Sequence, residues 1–329
     1  MTNIALIGFG YWGPNVAKNL FNNPNFNLVA ICDYKEDRLE KAKSIYIEQT
    51  KYEKDYKKLL EDNSIDAIAI AVETSGHYKL VKEALLAGKD VYVEKPFTST
   101  VKEAKELDEL ANSLGKIIHV DHIMIFHPVI RRVKEMIDSG ELGDLLYIDA
   151  SRLNLGQIKK DVSAMWDLAV HDLSIIDYLS NGKEPYLINA IGEKLYNPKE
   201  TLVFLSLKYE GFLAHIKSSW ISPLKERKIV VAGTKKMVVF DDMRLGEKLR
   251  IYDKGVNVVS GEGIEYKDYA VKIREGDILT PHILDEDALY NSLEHFRIAL
   301  KSKKESICNP KQAIRLLETL SKADEVMNR

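Results

Sequence analysis

The 329 residues carry 47 Lys and Arg against 50 Asp and Glu, a net charge of −3, with 45% hydrophobic and 29% charged residues. That balance offers no basic surface for nucleic acid, and no stretch approaches the roughly 18 consecutive apolar residues of a membrane span. At about 150 residues per domain the length predicts two domains, and the lack of a basic segment before the first apolar run predicts a cytoplasmic protein.

The first element is an apolar strand, Asn3-Ile-Ala-Leu-Ile, running into Gly8-Phe9-Gly10-Tyr11-Trp12-Gly13-Pro14. A strand that turns through glycines into a helix start presents backbone N–H groups to a pyrophosphate, and Pro14 suits the first helical turn. The next apolar run, Leu28-Val-Ala-Ile-Cys-Asp33, ends on a carboxylate at the spacing expected for a ribose hydroxyl partner. Such a carboxylate repels a 2′-phosphate, so NAD is expected over NADP, and Arg38, a helical turn later, can reach an adenine or a phosphate. Phe9, Tyr11 and Trp12 join the glycines as cofactor-contact candidates. Cys32 reads as a buried thiol, and with Cys308 it is too little for a disulfide framework. The histidines show no HExxH spacing, so no metal is expected.

Strand and helix alternate onward: a helix from Asp37 to about Glu48, the segment Lys54–Glu61, a strand Asp66–Val72 and a helix His77–Ala87. A strand Asp90–Glu94, a helix Val101–Leu114 and a strand Lys116–Val120 complete the series. Continuous apolar strands alternating with helices predict a doubly wound parallel sheet of the Rossmann type over residues 1–122. Right-handed crossovers place the strand C-terminal ends along one crevice, and Thr74, Ser75, Glu94, Lys95 and His122 fall at or near that edge.

From residue 123 the pattern changes, and residues 123–329 are expected to form an α+β domain with an open, largely antiparallel sheet. Helices are expected at His127–Ser139 and Val170–Leu179. Strands are expected at Leu145–Ser151, Tyr186–Ile191, Leu202–Lys208, Phe212–Trp220, Lys228–Ala232, Lys236–Phe240 and Lys248–Tyr252, followed by helices at Asp285–Lys301 and Pro310–Met327. An incompletely buried sheet face suits association between copies of the chain, as a dimer or tetramer.

Two constellations carry chemistry. Glu94-Lys95-Pro96 ends a buried strand, and an ammonium there can donate to a substrate hydroxyl and stabilise its oxygen; a surface lysine paired with Glu94 fits these three residues equally well. Asp167 and His171, four residues apart, share a face at a helix start, where the carboxylate can orient the imidazole as a general base. An N-cap aspartate and a satisfied helical histidine fit the same spacing.

The glycine loop, Glu94-Lys95-Pro96, the run Phe126-His-Pro128 through Gly140-Glu-Leu-Gly143, and Asp167 with His171 occur in the order and spacing of the glucose–fructose oxidoreductase, inositol dehydrogenase and rhizopine-catabolism (Gfo/Idh/MocA) family, which the chain resembles over nearly its whole length. The resemblance implies a catalytic set of Lys95, Asp167 and His171, with either Lys95 or His171 as the base, and a position near the nicotinamide for His77, which an ordinary helix-start residue fits as well. Ala169 and Ser174 stand where that family often has Gly and a second Asp, which puts that aspartate's contacts in doubt. Within the family, residues 10–15, 152–156 and 166–172 look like the branch that oxidises the 3-hydroxyl of UDP-N-acetylglucosamine or its uronic acid. On that reading Arg152 and Asn154 are candidates for sugar hydroxyls or a diphosphate, Lys225 and Arg227 for the same or for a subunit contact, and Trp166 for stacking on a ring, a place in the core fitting it equally. Oxidation of a free cyclitol or simple sugar is the competing activity, and a non-catalytic NAD-sensing protein on the same fold is the competing class.

Overall fold

The computed structural model describes residues 1–46, 50–156, 158–159, 162–259 and 270–328. In chain order these form β1 (Thr2–Ile7), α1 (Gly13–Asn22), β2 (Phe26–Cys32), α2 (Glu36–Ile45), β3 (Lys51–Glu53), α3 (Lys57–Glu61), β4 (Ala67–Ile70), α4 (Thr74–Leu86), β5 (Asp90–Glu94), α5 (Val101–Leu114), β6 (Ile118–Asp121) and α6 (Pro128–Asp138). There follow β7 (Leu145–Leu155), α7 (Val170–Leu179), β8 (Leu187–Glu193), β9 (Leu202–Lys208), β10 (Leu213–Ser219), β11 (Ile221–Gly233), β12 (Met237–Asp241), β13 (Leu249–Tyr252), β14 (Gly255–Val259), β15 (Ala270–Arg274), β16 (Ile278–Leu279), α8 (Ala288–Ser302) and α9 (Pro310–Met327). A 3₁₀ turn spans Ile123–Phe126, and a π-helical turn, Met165–Ala169, leads directly into α7.

Two compact units result: residues 1–126 with 286–318, and residues 127–285 with 319–329. The expected division at 122/123 therefore needs a correction, because α8 and the first half of α9 fold with the first unit. Leu289, Leu293, Phe296 and Ala299 of α8 share a hydrophobic core with Ile4 and Leu6 of β1 and Tyr92 of β5. An amphipathic helix must bury its apolar stripe, and here the stripe finds the first sheet.

That sheet is parallel throughout, in the order β3-β2-β1-β4-β5-β6. This is the doubly wound Rossmann order. Its central strand β4 is apolar at every position, as burial on both faces demands: Ala67, Ile68, Ala69 and Ile70 are all buried. Helix α5 starts on a capping box, Thr100 accepting the Glu103 N–H while the Glu103 carboxylate accepts the Thr100 N–H. Helix α4 begins at Thr74 rather than His77, so Thr74 and Ser75 occupy its first turn. The expected end of α2 at Glu48 lies outside the described residues.

The second unit holds an eight-stranded sheet, β16-β13-β12-β11-β7-β10-β9-β8, antiparallel except where β7 lies parallel to β10. Along β7 and β10 burial alternates, with Ile148, Ala150, Ala214 and Ile216 inside and Tyr147 and Leu213 exposed. One face is thus a core and the other is open. Strands β14 and β15 pair separately.

Candidate functional site

In the first unit the chain leaves β1 through Gly8, whose φ is +100° and whose N–H donates to the Cys32 carbonyl at 2.8 Å. A Cβ on Gly8 would lie 2.4 Å from the Ala71 carbonyl oxygen, and one on Gly13 would lie 2.3 Å from the Gly8 carbonyl oxygen. Both contacts fall inside van der Waals limits, so backbone alone fits there and the loop lies flat against the sheet edge. A pyrophosphate needs that bare approach to a helix N-terminus, so these residues fit a dinucleotide.

Asp33 holds the loop from the next strand. Its Oδ2 accepts the Phe9 N–H at 2.8 Å and an Arg38 guanidinium N–H at 3.1 Å, and its Oδ1 accepts the Lys35 N–H at 3.0 Å. A carboxylate has roughly four acceptor positions; three are taken among the described residues, which leaves capacity for a ribose hydroxyl. Arg38 also lies across Gly10, its Nη1 3.3 Å from where a Cβ would stand. The ring of Phe9 is buried in the core, so this residue offers its backbone; Trp12 packs half-buried against the same core, and Tyr11 is 91% exposed.

Thr74 is half-buried and Ser75 exposed in the first turn of α4. His77 departs from the expectation of a cofactor contact. Its ring is wholly buried, with Nδ1 2.9 Å from the Pro96 carbonyl and Nε2 3.1 Å from the Val72 carbonyl. Burial lowers its pKa, so a neutral ring ties the segment after β4 to the segment after β5.

Lys95 follows β5 half-buried, and its bond to Pro96 is cis. Glu94 and Asp121 are register partners at the C-terminal ends of β5 and β6, and both are buried. Next to Asp121, His122 is 1% exposed, and neither ring nitrogen has a hydrogen-bond partner among the described residues. Burial first, then the Lys95 charge, push its pKa down to about 3. A buried neutral imidazole without protein partners is the kind of group a ligand satisfies.

In the second unit the π-helical turn alters the expected geometry. Asp167 lies inside that turn and His171 in the first turn of α7, so the regular four-residue helical spacing does not apply between them. Asp167 Oδ1 accepts from the Lys159 ammonium at 2.7 Å, a partner the sequence did not suggest. The Trp166 indole N–H donates to Asp324 Oδ2 at 2.7 Å, so its polar edge is committed to α9. Arg152 is 7% exposed and forks onto Asp172, Nη2 to Oδ1 at 2.7 Å and Nε to Oδ2 at 3.1 Å. This guanidinium clamps β7 to α7 beside His171. Asn154 is half-buried, Lys225 exposed, and Arg227, the register partner of Arg152, lies 3.5 Å from Asp242.

Asp121, Lys159 and Asp172 are the residues that sequence reasoning missed. Asp121 alone left a signal, a charged residue directly after the apolar end of a buried strand.

Residues 2–122 match the profile of an oxidoreductase family with an NAD-binding Rossmann fold, and residues 130–239 match the GFO/IDH/MocA C-terminal domain. The chain is 28% identical over 321 residues to the NAD(+)-dependent scyllo-inositol 2-dehydrogenase of Bacillus subtilis, covering 87% of this chain and 90% of that one. It is 28% identical over 225 residues to UDP-N-acetylglucosamine 3-dehydrogenase of Acidithiobacillus ferrooxidans, covering 67% and 69%. A solved structure of that second enzyme shares the fold, with a TM-score of 0.79 at 23% identity over 98% of this chain and 97% of that one.

Proposed function

The chain belongs to the Gfo/Idh/MocA oxidoreductase family, and from that premise we propose that it oxidises the 3-hydroxyl of a UDP-linked N-acetyl amino sugar, UDP-N-acetylglucosamine or its uronic acid, to the 3-keto sugar. The cofactor is NAD. The observation that carries the dehydrogenase reading is the backbone-only cradle at Gly8 and Gly13 with Asp33 beneath it.

NAD, when bound, takes up two electrons and one hydrogen from the alcohol carbon. The glycine loop with Phe9, Tyr11 and Trp12, and Asp33 and Arg38, would hold its adenosine and pyrophosphate; Thr74, Ser75, Glu94, Lys95 and His122 are the candidates for its other end. Lys95 donates to the substrate oxygen and lowers the energy of the charge that develops there. His171, oriented by Asp167, accepts the hydroxyl proton. Asn154, Lys225 and Arg227 remain the candidates for the sugar and diphosphate. Copies of the chain associate through the open face of the second sheet, a reading supported by exposed Tyr147, Leu187, Ile191, Phe204 and Leu213 on one surface.

Oxidation of a free cyclitol is the second reading. The Arg152–Asp172 fork favours it, because it engages the cation best placed in sequence to meet a diphosphate. Incubation with NAD and, in turn, UDP-N-acetylglucosamine, its uronic acid, scyllo-inositol and glucose, followed by mass spectrometry, separates the two. Loss of two hydrogens from a UDP sugar alone supports the first; loss from inositol alone overturns it in favour of the second. Replacing Lys95 with Met is expected to remove more than about 90% of kcat while NAD still binds.

A further inference from the structure

Behind Lys95 lies a buried polar chain that the proposed reaction does not use. The Cys308 N–H donates to Ser306 Oγ at 3.0 Å, and Ser306 Oγ lies 2.8 Å from His119 Nδ1. His119 Nε2 lies 3.0 Å from Ser292 Oγ, the Tyr92 hydroxyl lies 3.0 Å from the same atom, and the Ser292 hydroxyl donates to Asp121 Oδ1 at 2.9 Å.

Counting donors fixes the direction of every bond. Ser292 has one hydrogen, given to Asp121, so it accepts from both Tyr92 and His119. His119 therefore carries its proton on Nε2, and its Nδ1 accepts the Ser306 hydroxyl hydrogen. Every donor in the chain points toward Asp121, the arrangement an anion at that position requires.

Glu94 stands beside this anion. The two side chains leave adjacent parallel strands at register-paired positions, and such strands are about 4.8 Å apart. Glu94 accepts the Lys95 backbone N–H. One oxygen on each carboxyl, Glu94 Oε1 and Asp121 Oδ2, is buried without a donor among the described residues. Two bare anions so placed would repel each other away from water, whereas one proton between them satisfies both oxygens.

Resting on the dehydrogenase reading above, we propose that Glu94 and Asp121 hold a single proton between them, Glu94 as the acid and Asp121 as the anion, and that the one remaining negative charge keeps the Lys95 ammonium charged and in place. Both residues are positioning residues. Burial first, then the Asp121 carboxyl, raise the pKa of Glu94 well above the usual range; burial raises that of Asp121 to about 6, held back by its hydrogen bonds with Tyr92, Glu94 and Ser292 and by the Lys95 charge. The Lys95 charge acts on Glu94, Asp121 and His122 alike. The groups facing the pair are Tyr92 and Lys95 from β5 and its end, His119 and His122 from β6 and its end, and Ser292 from α8, with the His295 ring of α8 tilted against His119.

The test uses the full chain with Glu94→Gln, Asp121→Asn and both changes together. Either single change leaves one carboxylate facing an amide donor and so keeps the single charge; the double change removes it. In wild type the folded pair holds a proton that the unfolded chain releases, so stability falls as pH rises from about 5 to 8. Glu94→Gln binds no such proton, and its Tm is expected to fall less steeply, by about 2 °C per pH unit. The basic limb of the kcat/KM profile stays in place in both single variants and moves about one pH unit toward acid in the double variant. Parallel Tm lines for wild type and Glu94→Gln overturn the shared proton, and an unmoved limb in the double variant overturns the link to Lys95. Should the double variant fail to fold, a Glu94→Gln limb shifted toward acid overturns that link instead. The melting comparison needs no substrate: if no alcohol is oxidised, the dehydrogenase reading fails and the melting still decides the pair. Oxidation with parallel lines rejects the pair alone.

Discussion

The carbonyl oxygen of Gly8 occupies the place that a side chain on Gly13 would need, 2.3 Å from the ideal Cβ position. Both partners are backbone at the turn between β1 and α1, so neither yields by rotating a side chain. Gly13→Ala is expected to push the loop off the sheet edge, destabilising the first unit by about 1–3 kcal/mol and weakening NAD binding at least about tenfold. Titration with NAD against thermal melting checks this. Unchanged NAD affinity in a folded variant would show that the cradle does not hold the dinucleotide.

Asp33 joins three things at once: the Phe9 amide, the Arg38 guanidinium and the acceptor capacity meant for a ribose hydroxyl. Asp33→Ser keeps a small acceptor and removes the charge that repels a 2′-phosphate, while Arg38 stays to attract one. KM for NAD is expected to rise about tenfold and the preference for NAD over NADP to narrow by at least as much. Steady-state kinetics with both cofactors decides it, and a preference left intact would move the discrimination elsewhere.

The parallel sheet is legible in the sequence because β4 is an unbroken apolar run and β5 carries Val91-Tyr92-Val93 between its terminal acids, a pattern that burial on both faces explains. The return of α8 to that sheet is not legible. Its apolar stripe states that a partner is required and not which sheet supplies it. Edge strand β3 is three residues long and carries two charges, so no periodicity marks it. Among the site residues, Gly8, Gly13 and Asp33 are found by spacing alone, since their roles follow from local backbone. The Asp172 partner of Arg152 is not legible, because a cation just past the expected end of a strand looks the same in sequence whether it meets a ligand or an aspartate twenty residues on. The π-helical turn at Asp167 escapes for a related reason: one extra residue per turn leaves the apolar pattern of Met165–Ala169 unchanged.

The Arg152–Asp172 fork makes an expectation of its own. Removing one member leaves the other charge buried and uncompensated, so Arg152→Met or Asp172→Leu is expected to cost about 3–5 kcal/mol. Replacing both, Arg152→Met with Asp172→Leu, restores apolar packing and should recover most of that loss. Urea unfolding of the three variants measures the coupling. A double variant that regains stability but has lost affinity only for UDP sugars would return Arg152 to the substrate.

Asp242 gathers His127, Arg227 and Lys248, at 3.6, 3.5 and 3.7 Å. The hydrogen bond from His127 comes first among the causes that bring its pKa from 3.8 down to about 2; burial opposes it, and the charges of His127, Lys248 and Arg227 add to it. A carboxylate whose pKa is depressed on folding stabilises the fold above its unfolded value, and that stability is lost as pH falls through the folded value. The stabilisation is therefore complete near neutral pH and disappears from about pH 4 down to about pH 2. Allowing for solvent screening of a partly exposed group, Asp242→Asn should cost about 1–2 kcal/mol at neutral pH. The gap in Tm between wild type and variant should close as pH is lowered from about 4 to about 2. A gap of constant size across that range would mean that Asp242 supports the second unit through shape and hydrogen bonding rather than through its charge.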